Sequence, residues 1–496
     1  MSTPSGQCAV VVGGSVAGLL AARVLAEHFR QVIVIERDAL RDAPLVRTGT
    51  PQASHAHVLL QRGRRILSEL LPGLEEDLLA AGALLLDFAK DVAWLTPAGW
   101  GVRYDSELPT LSCSRALLEW AVRRHVVRLT GIHIQSGFRV VRLVERQGAV
   151  VGVTIRAARC SGDVGQTLDA ELVVDASGRG SAAPQWLQAL GYPRPSETTV
   201  NAFHGYASRI FRAPSDPARD WMGLYLQPKP PSMRRLGILM PIEMGQWHVS
   251  LGGAERDYPP TDDEGFLEFA RSLRSPILYD AITAAEPVSP IYATRATANR
   301  VRHFERLSRG PAAFLVVADA ACAFNPVYGQ GMTTAAIGAL LLREHLRASG
   351  STTVSRAERA WSARFQTRLA AINRVPWMLA TGEDCRFKGS EGRRLDLELR
   401  VMHRYLDRVV ALTTHDPAVR DVLLRTFNLL IPPSRLFHPS ILAKVARQAI
   451  TLRSISLTDR QDTQNMHTGD VSLAIMDTFT RRRAPTDGSS PASGTG

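Results

Sequence analysis

The stretch Ala9-Val10-Val11-Val12-Gly13-Gly14-Ser15-Val16-Ala17-Gly18 decides the reading of this 496-residue chain. The apolar run Ala9 to Val12 predicts a strand, the glycines a tight turn, and the Ala/Leu-rich segment through His28 a helix. Val32 to Glu36 then reads as a second strand that closes a βαβ unit. In such a unit the first glycine permits the turn, the middle position lets backbone approach a pyrophosphate, and the last lets helix pack on strand. The helix N-terminus offers free N–H groups and a positive dipole end to phosphates, while Glu36 is placed to accept from ribose hydroxyls. Ser15 stands where a middle glycine is usual. The bland alternative, a glycine turn before a buried helix, does not account for an acidic residue at the end of the second strand.

Two later segments repeat the pattern of an Asp after an apolar run and before small residues. One is Leu172-Val173-Val174-Asp175-Ala176-Ser177-Gly178-Arg179-Gly180-Ser181. The other runs from Phe314-Leu315-Val316-Val317-Ala318-Asp319-Ala320-Ala321 through Asn325-Pro326-Val327-Tyr328-Gly329-Gln330-Gly331-Met332. An Asp so placed can hold a sugar-alcohol hydroxyl, and small residues let backbone lie against a flat cofactor. A helix starting near Gly331 would aim backbone N–H groups at that cofactor. Either segment alone reads equally well as a strand end with turn residues.

Around these motifs the chain divides by pattern. Helical stretches such as Gly63 to Leu71 and Ser114 to Leu129 alternate with short strands as far as Ala183. Residues 184–297, richer in proline, aromatics and short β runs such as Gly237 to Met240 and Trp247 to Gly252, predict an inserted, mainly antiparallel sheet. Residues 298–345 return to the first layer, 346–482 read as helical, and the tail 483–496 reads as disordered.

Bulk properties exclude several classes. No apolar run approaches the roughly 20 residues that cross a bilayer, and the polar start Met1 to Gln7 does not resemble a secretory signal. The net charge of +12, from 59 basic and 47 acidic residues, comes from scattered arginines with no zinc-finger spacing, RNA-binding motif or Lys/Arg block. Nucleic acid is therefore not expected as a partner. Cys8, Cys113, Cys160, Cys322 and Cys385 are odd in number and far apart, which argues against a disulfide framework or a zinc site and for a reducing, cytoplasmic compartment. A basic helix around Ser440 to Arg453, with Lys444, Arg447 and Arg453, fits either an acidic carrier protein or membrane surface, or an ordinary solvated face.

The three Gly/Asp segments, in this order and spacing, resemble the flavoprotein hydroxylases of the para-hydroxybenzoate hydroxylase type. Within that group, Arg47-Thr48-Gly49-Thr50-Pro51-Gln52-Ala53-Ser54-His55-Ala56-His57 and Ala323-Phe324-Asn325-Pro326-Val327-Tyr328-Gly329 are similar to the polyene epoxidases of polyether antibiotic pathways. The resemblance implies an α/β fold with α+β elements: a Rossmann-like FAD-binding domain, an inserted antiparallel substrate sheet and a helical C-terminal region. It implies FAD held by Gly13, Gly14, Ser15, Val16, Ala17, Gly18, Glu36, Arg37, Arg47, Arg115, Asp175 and Asp319, with Pro326, Gly329, Gly331 and Met332 facing the isoalloxazine. Two departures stand out. The family's Gly-Asp-Ala-Ala-His is Ala318-Asp319-Ala320-Ala321-Cys322 here, and its Asp-Gly is Asp175-Ala176, which leaves open whether NAD(P)H reduces the flavin directly or a separate flavin reductase does.

The activity the resemblance implies is epoxidation or hydroxylation of an apolar polyketide or terpenoid through a flavin C4a-hydroperoxide, with O2 as co-substrate. The cofactor carries that chemistry, so no catalytic acid or base is nominated. His55 and His57 lie near the flavin segment but read as structural, and no third and fourth metal ligand accompanies them. Phe203, Trp221, Tyr225, Trp247 and Trp377 are candidate walls of a substrate pocket, each equally readable as core. The Trp-x-Trp-x-Ile-Pro segment of flavin-dependent halogenases is absent. The alternatives are an FAD-dependent reductase, a cyclase that uses FAD without redox, and a non-catalytic scaffold.

Overall fold

A computed structural model describes residues 6–159, 165–216, 219–348 and 358–450. The chain falls into two units, Met1–Leu436 and Phe437–Gly496. In the second, residues 439–450 are helical; the expected basic helix therefore forms as far as the described residues reach, and the predicted tail 483–496 lies outside them.

The first unit is organised on a five-stranded parallel sheet ordered Phe314–Val316, Leu172–Asp175, Gly6–Val12, Phe29–Glu36 and Ile132–Ser136. Val10, Val11, Val32, Val34, Val173, Val174 and Leu315 are fully buried, as expected for a parallel sheet covered on both faces. The register sets Val12 beside both Asp175 and Ile35, and Asp175 beside Val316. All three sequence motifs therefore leave the sheet at one edge. The strand order reverses direction at Gly6–Val12, the topological position at which open α/β sheets bind ligands.

The predicted antiparallel sheet is also present, but it is assembled from more of the chain than residues 184–297. Its order is Glu286–Pro287, Gly205–Arg212, Gln246–Gly253, Arg235–Ile242, Gly223–Leu226, Val92–Thr96 and Gly99–Trp100, with Tyr292–Thr294 also paired to Gly205–Arg212. Val92–Thr96 joins it in parallel to Gly223–Leu226. Sequence pattern assigned those residues to the first layer because Val92-Ala93-Trp94-Leu95-Thr96 is buried throughout and lacks the alternation that would mark a separate sheet.

The two faces of this sheet differ. Ala93, Leu95, Leu224, Trp247, Val249 and Leu251 pack on Phe266, Phe269, Leu278 and Ile282 of helices Asp263–Arg271 and Ile277–Thr283. The opposite, inner face carries an apolar half, Val92, Trp94 and Met240 with Phe88, Leu108 and Leu424, and a polar half, Ser208, His248 and Ser250. Period-two alternation separates Trp247 from His248 and Val249 from Ser250. Helices Arg359–Asp384, Leu397–Leu412 and Pro417–Phe427 form the C-terminal part of the unit, and no helix among the described residues is long and apolar enough to cross a membrane.

Candidate functional site

The first turn is built as its glycines require. Gly13 adopts φ +101°, and a Cβ there would lie 2.7 Å from the Ala176 carbonyl oxygen; a Cβ on Gly18 would lie 1.8 Å from the Gly13 carbonyl oxygen. Helix Val16–Leu25 starts directly after Ser15, whose side chain does not cap it, so its first amides remain available to an anion. Ser15 turns instead into a polar network. Its hydroxyl donates to Glu119 Oε2 at 2.6 Å and accepts from Arg115 Nη2 at 2.9 Å.

Arg47 ties that network to the end of the second strand. It lies 3.0 Å from Glu36, 3.1 Å from Asp38 and 2.6 Å from Glu119, while Glu36 also accepts from the Gly14 amide at 2.8 Å. Burial opposes the charge on Arg47, but Glu119 and Glu36 outweigh it and hold its pKa above the ordinary value. Burial likewise opposes ionisation of Glu119, and Arg115 and Arg47 overcome it, leaving that carboxyl below its usual range. Gly13, Gly14, Ser15, Glu36, Arg47 and Arg115 are thus brought together. Val16 and Gly18 are buried and Ala17 half-buried beside them, whereas Arg37 is exposed, with one long contact to the Gly49 carbonyl at 3.5 Å. Glu119 was not singled out from sequence, although its place four residues after Arg115 on one helix was the available signal.

Asp175 and Asp319 part company. Asp175 is fully buried and accepts from the Ser177 amide at 2.9 Å, the Ser177 hydroxyl at 2.5 Å and the Ser181 hydroxyl at 2.5 Å. Its carboxylate oxygens are taken up by its own turn. Asp319 is half-buried and has no hydrogen-bond partner among the described residues, and one of its oxygens lies 3.7 Å from the Cβ position of Gly331 at the start of helix Gly331–Ala348. Burial raises its pKa, opposed by the nearby charges of Arg179, Arg115 and Arg300. An open carboxylate beside a helix N-terminus fits a hydroxyl-bearing cofactor chain.

The turn from Asn325 to Met332 is braced from behind. The Asn325 side-chain oxygen accepts from Tyr206 Oη at 2.6 Å and from the Val327 amide at 3.3 Å. Its own amide donates to Asn299 Oδ1 at 2.8 Å. Asp384, at the end of helix Arg359–Asp384, accepts from Asn299 Nδ2 at 2.6 Å and from Tyr328 Oη at 2.5 Å. No local sequence signal marked Asp384, because it reaches the turn only through tertiary packing. In the turn itself Gly329 adopts φ +63°, Pro326 is exposed, Met332 is buried, and the buried Gln330 Oε1 has no partner. The free helix amides, Asp319 and Gln330 therefore fit FAD, with acceptors for its hydroxyls and donors for its phosphates.

Across from the turn, His55 Nδ1 lies 2.7 Å from Ser208 Oγ, which is 2.6 Å from Ser250 Oγ; Ser250 in turn accepts from the Ala56 amide at 2.9 Å. His57 meets the Gln52 carbonyl at 2.6 Å and His248 the Ser54 carbonyl at 3.0 Å. Burial, reinforced by His248, lowers the pKa of His55 to about 4; burial and then Arg115 lower that of His57 to about 3. Burial lowers His248 to about 4. All three are neutral at physiological pH; His55 and His248 pin the segment 51–57 to the sheet, and His57 closes back on Gln52 within the segment.

The five candidate wall aromatics are dispersed. Trp221 and Trp247 pack on each other, 6.0 Å apart, in the core on the far face of the sheet. Phe203 carries the Arg256 guanidinium 3.5 Å from its ring centre. Tyr225 lies on the inner face, 5.2 Å from Trp94, and Trp377 packs with Tyr328 and Phe324 beside the braced turn. Tyr225 lies on the inner face and Trp377 beside the turn, whereas period-two alternation turns Trp247 to the far face.

Comparison with known proteins agrees with this geometry. A family model described as "FAD binding domain" matches residues 7–357. The chain is 34% identical to Protein Rv3254 of Mycobacterium tuberculosis (strain ATCC 25618 / H37Rv) over 436 residues, which span 85% of this chain and 89% of that one. Among solved structures, the flavin-dependent brominase Bmp2 superimposes with a TM-score of 0.64 at 15% identity, covering 90% of this chain and 99% of that one. PqsL, a probable FAD-dependent monooxygenase from Pseudomonas aeruginosa, superimposes with a TM-score of 0.55 at 17% identity, covering 77% and 97%. At these identities both structures speak for the fold. Sequence, fold and family match together place the chain in the FAD binding domain family, as an FAD-dependent oxidoreductase.

Proposed function

We propose that the chain is a monooxygenase that epoxidises or hydroxylates an apolar natural-product substrate. One observation carries the reading: the apolar inner face of the substrate sheet runs up to the braced turn. Val58 packs on the cluster of Trp94, Met240 and Tyr225, and its carbonyl oxygen lies 3.5 Å from the Cβ position of Gly329. An apolar substrate on that face would meet a flavin resting on Pro326 to Met332. Reduced FAD, when bound, supplies the activation of O2. The protein binds and orients: Asp319 takes a hydroxyl of the cofactor chain, Glu36 the adenosine ribose, and the neutral histidines with Ser208 and Ser250 hold the facing wall. The absence of the halogenase Trp-x-Trp-x-Ile-Pro segment favours oxygen transfer to carbon over halogenation.

NAD(P)H is the electron source in this reading, and supply through a separate flavin reductase is the favoured route. Arg179, the cation of the second motif, donates to the Ala298 carbonyl at 2.7 Å and to the Phe324 carbonyl, so its guanidinium is already engaged with backbone instead of being free for an external nucleotide.

The test uses the purified full-length chain loaded with FAD. It is reduced anaerobically with NADPH, or by an added flavin reductase, and mixed with oxygen-18 gas and a panel of polyenes. Label in the product is the expected result. Turnover without O2 would reassign the enzyme as a reductase, product formed without electron donor or O2 would reassign it as a cyclase, and failure to bind FAD would sink the reading.

A further inference from the structure

One arginine beside Trp94 on the inner face of the antiparallel sheet is buried without an anion. Arg420, on helix Pro417–Phe427, is 2% exposed, and its Nε and Nη2 have no hydrogen-bond partner. These two atoms form one edge of the guanidinium, the edge that grips a carboxylate side-on with two parallel hydrogen bonds. The carboxylate nearest in sequence is already engaged: Asp421 accepts from Arg425 Nε at 2.6 Å and from Tyr104 Oη at 3.4 Å. No carboxylate among the described residues forms an ion pair with Arg420. Burial lowers its pKa, but a guanidinium does not lose its proton in a protein, so the charge stays and needs a counter-charge.

The surroundings are made to house that group. A Cβ at Gly101 would lie 1.2 Å from Arg420 Nη1, so the absence of a side chain at Gly101 provides the guanidinium's space. The guanidinium carbon is 5.9 Å from the Trp94 ring centre, and the Trp94 indole Nε1 is itself buried without a partner. Two kinds of orphaned donor thus stand at one end of the inner face. From there rings lead towards the cofactor turn: Trp94 is 5.2 Å from Tyr225, and both share a cluster with Val58, which abuts Gly329.

We propose that Arg420, with the Trp94 indole N–H, is the carboxylate-binding end of the substrate site, and that the substrate is an elongated apolar acid. Its acidic head would sit on the Nε/Nη2 edge, and its apolar body would lie over Trp94 and Tyr225 towards the turn. This rests on the monooxygenase reading for the identity of the site, but the binding it predicts is measured without turnover.

The probes are decanoate and 1-decanol, titrated into the FAD-loaded full-length protein and followed by tryptophan fluorescence and the flavin difference spectrum. Decanoate is expected to bind about tenfold or more tightly than the alcohol, the range of a charge-assisted pair. Arg420→Met should abolish that preference, and Gly101→Ala should weaken it by displacing the guanidinium with its charge intact. Equal binding of acid and alcohol by the unmodified protein, or no binding of decanoate, overturns the proposal even if no variant folds. A preference retained in folded Arg420→Met overturns it too. FAD stoichiometry and oxygen-18 transfer on the same sample separate the outcomes: loss of oxygen transfer with acid preference intact removes the monooxygenase reading alone.

Discussion

Asp175 ends one strand of the parallel sheet and Asp319 lies three residues past the end of its neighbour, each after an apolar run and before small residues, and they do opposite things. Asp175 is closed on itself by Ser177 and Ser181. Asp319 faces the start of helix Gly331–Ala348 with no hydrogen bond among the described residues. The difference comes from the neighbours on the C-terminal side of each Asp. Serines two and six positions on supply local donors to Asp175, whereas alanines and Cys322 after Asp319 supply none. A strand-end carboxylate is available to a cofactor only where its own turn leaves it unsatisfied.

The comparison breaks most sharply in stability. Asp175→Ala strands the buried Ser181 hydroxyl and empties a buried site, at a cost of roughly 3 kcal/mol. Urea unfolding of the FAD-free protein would register it, with FAD affinity of the folded fraction unchanged. An unchanged unfolding midpoint would deny Asp175 its structural role. Asp319→Asn should behave in the opposite way. It keeps one acceptor but loses charge assistance, so FAD should bind about tenfold more weakly. Its unfolding midpoint without FAD should stay level or rise, since a half-buried charge is removed. Tight FAD binding by this variant would show that the cofactor does not use Asp319. A smaller effect is expected from Ser181→Ala, about 1 kcal/mol in the same unfolding experiment, because the Ser177 amide and hydroxyl still hold Asp175.

Much of this architecture was legible in the residues. The strand Leu172–Asp175, the helix after Ser114 and the start at Gly331 arise from apolar runs bounded by turn and capping residues. The Gly13 to Gly18 turn and Glu36 were legible because each residue type answers a local steric or electrostatic need. Contacts between distant segments were not. Arg47 reaching Glu119, Asp384 bracing Tyr328, and Arg420 entering the space at Gly101 join residues 72, 56 and 319 positions apart, and nothing local distinguishes these side chains from solvated ones. The same limit misplaced Val92–Thr96, whose uniform burial reads identically in either sheet, and Trp247, whose face depends on register.

The finest distinction between the two aspartates lies in their response to pH. Burial raises both pKa values, against the hydrogen bonds of Ser177 and Ser181 at Asp175 and against the charges of Arg179, Arg115 and Arg300 at Asp319. A carboxyl raised in the folded state binds its proton more tightly there than in the unfolded chain, where the ordinary value is about 3.9. Each therefore adds stability as pH falls from neutral through its raised value, the reverse of Glu119, whose lowered pKa makes its contribution disappear as pH falls through the folded value. FAD should change one aspartate and not the other. A cofactor hydroxyl donating to Asp319 stabilises its charged form and draws its pKa down, while Asp175, already saturated by its serines, is indifferent. Thermal unfolding across the acid range, compared with that of Asp319→Asn, should thus differ in slope without FAD and lose much of that difference when FAD is added. The same comparison with Asp175→Asn should give a slope difference that FAD leaves unchanged. If FAD altered both differences alike, the two carboxylates would share the cofactor, and the division drawn from their turns would fail.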